Sequence, residues 1–205
     1  MSKSGSLERW SIENAVDLYG VHNWGAGYFD ISDQGEVVVN PSGIMGDKNA
    51  VSLMKIVSDI KDRGMGMPIL LRFRDILQSQ ITSLHKYFQD TITELGYQNK
   101  YRGVYPIKVN QQQQVVEEVT QFGSRFHHGL EAGSKAELIA AISLLRDPEA
   151  CLVCNGYKST YAAPALCCAL VAGRLSRQRI LLWSATTGHV SAAPVYQVLA
   201  SFRFE

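Results

Sequence analysis

Between Pro68 and Cys154 the sequence passes four times through a short apolar run. Longer segments with apolar residues at helical spacing separate the runs, and this rhythm constrains the fold class most. The runs are Pro68 to Phe73, Gly103 to Gln111, His127 to Glu131 and Cys151 to Cys154. Leu77, Ile81, Leu84, Phe88, Ile92 and Leu95 recur at steps of three and four, forming one apolar stripe of a helix. Val115, Val116, Val119 and Phe122 do the same in the next interval, and Leu138, Ile142 and Leu145 in the last. Asp75 with Gln78 and Ser134 with Glu137 have capping-box spacing, and Gly96 and Gly123 are expected helix stops. Strands alternating with helices predict βαβ units, a parallel sheet and right-handed crossovers.

Upstream the pattern is different. Trp10 to Tyr19 reads as a helix with Ser11 as its N-cap, and Val51 to Arg63 as a second helix stopped by Gly64. Between them Tyr28 to Ile31, a turn at 32–35 and Val37 to Val39 predict a β-hairpin ending at Pro41. Residues 1–9 are polar and expected to be disordered, with no apolar stretch of the kind a secretory signal carries. The longest apolar run, Ala162 to Ala172, contains Pro164 and falls short of the ~20 residues of a spanning helix. A net charge of +1 supplies no electrostatic footprint for nucleic acid or an anionic membrane. Cys151 and Cys154 have CxxC spacing, but they lie in a strand-like run, and Cys167 and Cys168 are adjacent. A redox pair normally opens a helix, and a zinc site wants a second regular pair. All four therefore read as buried apolar residues in a reducing cytosol. His127 and His128 lack metal-ligand company in the sequence and read as structural.

Lys108 carries the chemistry. Alternation along Gly103 to Gln111 puts Tyr105, Ile107 and Val109 on one apolar face and Val104, Pro106, Lys108 and Asn110 on the other. An apolar face suits packing beneath helices. A lysine on the opposite face, near the strand's C-terminal end, would enter a barrel mouth, where (β/α) barrels place their reactive groups. Pro106 gives up a ladder hydrogen bond and is unusual in a central strand. The pattern alone equally allows a surface edge strand whose lysine meets water.

Three ordered motifs go further. They are Val104-Tyr105-Pro106-Ile107-Lys108-Val109-Asn110-Gln111, then Gly129-Leu130-Glu131-Ala132-Gly133-Ser134-Lys135-Ala136-Glu137-Leu138, then Val153-Cys154-Asn155-Gly156-Tyr157-Lys158. Together with Trp24-Gly25, Tyr28-Phe29-Asp30 and Leu70-Leu71-Arg72-Phe73, they resemble the biosynthetic arginine decarboxylases. That family depends on pyridoxal phosphate and is built on an alanine-racemase-like barrel. The likeness covers roughly residues 10 to 158, with Arg74 a departure where the family usually has proline.

The resemblance implies an α/β fold: a partial parallel (β/α) barrel behind a small α+β N-terminal cap. The cap is expected over 1–65, the first part of the cofactor barrel over 66–158 and a divergent tail over 159–205. Lys108 matches the lysine that holds pyridoxal phosphate covalently. Glu131 matches an acidic position at the end of the next strand, close to the cofactor, or else neutralises the barrel mouth; Asn155 and Tyr157 match the loop after the strand beyond. Ser134 and Glu137 are sufficiently explained as caps. The implied reaction is decarboxylation of L-arginine to agmatine and CO2 in polyamine biosynthesis, in the cytoplasm, with Mg2+ as a further cofactor and a homo-oligomer as the full-length assembly. The alternatives are a pyridoxal-phosphate-binding barrel without decarboxylase activity and a non-functional fragment.

After Lys158 the likeness stops. From Ser159 to Glu205 there is a single acidic residue and no lysine, against eighteen acidic residues and nine lysines before it. This discontinuity suggests a non-native tail, within which Arg179 to Ala185 could form a strand. The phosphate-binding glycine loop, the carboxylate partner of the pyridinium nitrogen and the second domain of the family are not expected in this chain, which would leave a half barrel with an unpaired parallel edge.

Overall fold

The computed structural model describes residues 9–155, together with the backbone of two later strands at 179–183 and 190–194. Residues 1–8, Tyr157, Cys167 and Cys168 lie outside the described residues, and so do the expectations attached to them. The chain divides into two compact units, Met1–Ser79 and Gln80–Glu205.

In the first unit, helix α1 (Ile12–Leu18) is closed by a full capping box in which Ser11 and Asn14 each accept the other's backbone N–H. A short helix α2 (Val21–Gly25) follows, and then β1 (Phe29–Ile31) and β2 (Val37–Val39) form the expected antiparallel hairpin. Val39 is completely buried. Sequence reading missed β3 (Val51–Ser52), which pairs antiparallel with β2. Two residues carry too little periodicity to be seen. Helix α3 (Leu53–Asp62) therefore starts two residues later than expected, with the Ser52 hydroxyl accepting from Lys55 N–H.

The run from Pro68 to Phe73 is not a strand. Pro68 offers no N–H, Leu70 is 74% exposed, and no described strand supplies a ladder partner. Apolar composition without a neighbouring strand leaves irregular backbone. Helix α4 then runs Arg74–Glu94, so Asp75 sits inside its first turn, where it favours the helix dipole, instead of at the cap. Its C-terminus ends as expected. Gly96 adopts φ +62°, and Gly96 N–H and Tyr97 N–H donate to the Thr93 and Ile92 carbonyls in a Schellman arrangement.

The second unit is built on a five-stranded sheet in sequence order: β4 (Val104–Pro106), β5 (Gly129–Ala132), β6 (Cys151–Cys154), β7 (Arg179–Trp183) and β8 (Val190–Pro194). The first four are parallel, and β8 returns antiparallel to β7. β6 is paired on its far side by β7 through all four of its residues, and the unpaired parallel edge of the described sheet is β4. Helices α5 (Gln113–Gly123) and α6 (Lys135–Leu144) pack on β5. Leu130, Leu152, Val119, Leu138 and Ala141 form the core between them. Each fully buried leucine contributes about 2 kcal/mol relative to exposure. Cys151 and Cys154 are buried, unbridged members of the same layer.

α5 ends at Gly123, as expected. The chain then tightens into a 3₁₀ turn (Ser124–Phe126), and His127 takes the left-handed terminal position at φ 54°. Gly123 serves a further need, since a Cβ there would approach the His128 Cβ to 2.6 Å. His127 thus precedes β5 and pairs with Asp147 at 2.9 Å.

His128 is buried beside His85 of α4, with Nδ1 of one 2.8 Å from Nε2 of the other. Phe126 stacks on His85 with centroids 4.5 Å apart. One ring donates and the other accepts, so the pair is complete with both rings neutral. Burial, with the neighbouring His85 assisting, lowers the His128 pKa from 6.5 to about 4; burial and the Arg102 guanidinium lower that of His85. Between these pH values the unfolded chain takes up a proton that the native pair refuses. Stability is therefore expected to fall as pH drops from about 6.5 to about 4. Urea midpoints across that range test this: His128→Asn is expected to flatten the wild-type decline, and parallel declines would refute the assignment.

Candidate active site

The strand containing Lys108 is shorter than its sequence suggests. β4 ends at Pro106, and Ile107–Val109 form a 3₁₀ turn, so the twofold alternation stops there. Ile107 turns inward and is 2% exposed, whereas Val109 is 69% exposed instead of sharing its apolar face. β4 is the edge of the described sheet, which is where a proline costs least. Lys108 consequently stands just past the C-terminal end of β4, on a turn that lies against β5 and α6.

Register brings the other candidates to the same end of the sheet. Pro106 is level with Glu131 and Glu131 with Val153, so Asn155, the first residue after β6, lies one step beyond. Lys108 Nζ is 3.5 Å from Glu131 Oε1, and Asn155 Nδ2 donates to the same oxygen at 2.9 Å. Asn155 is itself fixed by its backbone N–H, which donates to the Ala132 carbonyl at 2.9 Å. Glu131 is 15% exposed and Lys108 60%. An amine this open gains only about 0–1 kcal/mol from its ion pair, so the contact orients the lysine more than it stabilises the fold. The three residues singled out in the sequence thus converge on one carboxylate oxygen. The opposite end of the strands is closed by Arg102, which pairs with Glu149 at 3.0 Å.

Sequence reading assigned Ser134 and Glu137 to a capping box, and half of it is present. The Ser134 hydroxyl accepts from Glu137 N–H at 3.3 Å. The Glu137 carboxylate bypasses the cap residue and accepts from Gly133 N–H at 2.6 Å and from the Gln111 side-chain amide at 3.0 Å. Gln111, three residues beyond Lys108, was not singled out for any role. Its only signal in the sequence is that proximity.

Known proteins resemble this chain in sequence and in fold. Residues 78–163 match the family described as pyridoxal-dependent decarboxylase, pyridoxal binding domain. The resemblance is to the biosynthetic arginine decarboxylases. The relative from Prochlorococcus marinus is 44% identical over 173 residues, covering 84% of this chain and 26% of its own length. That from Gloeobacter violaceus is 48% identical over 161 residues, covering 78% and 25%. The crystal structure of the biosynthetic arginine decarboxylase SpeA of Campylobacter jejuni superposes with a TM-score of 0.70 at 32% identity, over 80% of this chain and 26% of that one. The chain spans about a quarter of the length of the curated relatives it matches. The parallel sheet and its flanking helices accordingly resemble part of the fold of the Campylobacter jejuni arginine decarboxylase. No helix among the described residues is long and apolar enough to cross a membrane.

Proposed function

We propose that this chain carries the cofactor-lysine portion of a pyridoxal-phosphate-dependent decarboxylase acting on L-arginine, with agmatine and CO2 as products. The observation that supports it most is the convergence of Lys108 and Asn155 on Glu131 Oε1 at the C-terminal end of parallel strands. The donor set fits the cofactor. Lys108 offers an accessible primary amine with a carboxylate at 3.5 Å. In this reading Lys108 holds the cofactor covalently, Glu131 directs the amine by accepting from it, and Asn155 fixes the carboxylate. When bound, the cofactor ring supplies the electron sink for loss of CO2. The sheet is read as the first part of an alanine-racemase-like (β/α) barrel, behind a cap at 1–65, with barrel residues to 158 and a divergent tail beyond. The cytoplasm, a homo-oligomer and a Mg2+ requirement belong to the same reading; among the described residues no group of three His, Cys, Asp or Glu is placed to hold a metal.

A second reading, binding without turnover, is favoured for the 205-residue chain taken alone by its span of about a quarter of its relatives. Titrating the purified chain with pyridoxal phosphate is expected to give a saturable absorbance change. Agmatine release from arginine is expected not to exceed that of the free cofactor. Absence of saturable binding would sink the cofactor assignment; sustained agmatine formation would reject the second reading.

A further inference from the structure

Glu137 is only 8% exposed, lies outside the Lys108–Glu131–Asn155 group, and spends its two oxygens on two different loops. Oε2 accepts from Gly133 N–H at 2.6 Å, in the turn that follows β5 and Glu131. Oε1 accepts from Gln111 Nε2 at 3.0 Å, in the loop that follows β4 and Lys108. A helix cap needs only the first kind of contact. The second reaches across 26 residues of sequence and ties the lysine loop to the head of α6.

The lysine loop is otherwise held by the water-exposed Lys108–Glu131 pair at 3.5 Å and by the burial of Ile107. Lys108 and Val109 are exposed, and Ile107 is the one buried side chain of the 3₁₀ turn. Tyr105 Oη donates to the Asn110 carbonyl at 3.2 Å, and Asn110 Oδ1 accepts from Gln112 N–H at 3.1 Å. Both of these are local bonds. They shape the loop without anchoring it to the neighbouring strand.

We infer that Gln111 and Glu137 form a clasp that positions Lys108 over the end of β5, Gln111 being a positioning residue for the cofactor lysine. This rests on the proposed assignment of Lys108. The physical case is that a hydrogen bond to a buried carboxylate is charge-assisted and stronger than a neutral one. Removing the Gln111 amide leaves Glu137 its contact with Gly133, so α6 keeps its cap while the lysine loop loses its charge-assisted tie to α6.

Two measurements on the full chain test the inference. The first is amide hydrogen exchange without cofactor, comparing wild type, Gln111→Ala and the reversed pair Gln111→Glu/Glu137→Gln. Exchange over residues 107–113 is expected to rise about tenfold in Gln111→Ala, with α6 unchanged. The reversed pair should restore protection, because the amide now at position 137 can donate to the carboxylate now at position 111 and its carbonyl can still accept from Gly133. The second is the fraction of Lys108 labelled when limiting pyridoxal phosphate is trapped with borohydride. It is expected to fall about tenfold in Gln111→Ala and to recover in the reversed pair. Unchanged exchange would show that there is no clasp. Raised exchange with undiminished labelling would show a clasp that does not position Lys108. Unlabelled Lys108 in wild type would defeat the cofactor assignment and the positioning role with it, while the exchange result would still judge the clasp itself. Failure of the reversed pair to restore either quantity would assign the loss to local packing and overturn the inference.

Discussion

Lys108→Ala is expected to eliminate the covalent capture of pyridoxal phosphate while leaving the fold intact. The side chain is 60% exposed and its ion pair with Glu131 is open to water. Removing it should therefore shift the unfolding midpoint by no more than the equivalent of about 1 kcal/mol. The chemical loss is of a different order, because Lys108 is the lysine that the fold sets against Glu131. Lys108→Arg should fail equally, since a guanidinium stays protonated and cannot form the covalent link. In a complete enzyme of this type either substitution is expected to lower turnover by orders of magnitude, as covalent catalysis loses its nucleophile. Equilibrium unfolding and cofactor titration on the same samples separate the two effects. A variant that folds and still binds the cofactor covalently would make Lys108 a surface lysine.

The largest structural effect is expected at Gly129, which opens β5. A Cβ built there would lie 2.0 Å from the Cys151 carbonyl oxygen and 2.9 Å from its carbon. These are backbone atoms of the adjacent strand, so no rotamer change relieves the contact. Gly129→Ala must push β5 away from β6, and with it displace Glu131 from Asn155. We expect a loss of about 3 kcal/mol or more, at or beyond the upper end of ordinary overpacking. Gly66→Ala is the control, because nothing lies within 4 Å of its Cβ position; it should change stability by less than about 1 kcal/mol. Denaturant midpoints for the two variants give the comparison. Equal midpoints would mean that β5 and β6 do not pair in the register described.

Most of the second unit was legible because its elements obey simple periods. The stripes of α4, α5 and α6 are helical repeats, and β5 and β6 are short apolar runs with partners on both sides. The failures share a physical cause: local pattern does not specify partners. Pro68 to Phe73 has strand composition and no ladder, and β3 has a ladder and too little composition. At Lys108 the alternation held only until Pro106, where the backbone turned into a 3₁₀ conformation and changed which side chains face inward. Glu131 and Asn155 were legible only through family motifs, since nothing in their spacing from Lys108 places three residues on one oxygen. The same limit hid the Gln111–Glu137 contact. A glutamate three residues after a serine is fully explained locally, and the longer reach appears only once β4 and β5 lie side by side.

The proposed chemistry depends on Lys108, and site mapping tests it most directly. The purified chain would be mixed with pyridoxal phosphate, reduced with borohydride, digested and mapped by peptide mass. The prediction is one dominant pyridoxyl label on the peptide containing Lys108, at near-stoichiometric yield and lost in Lys108→Ala. A label spread over Lys100, Lys135 and Lys158, or none above that of an unfolded control, would contradict it.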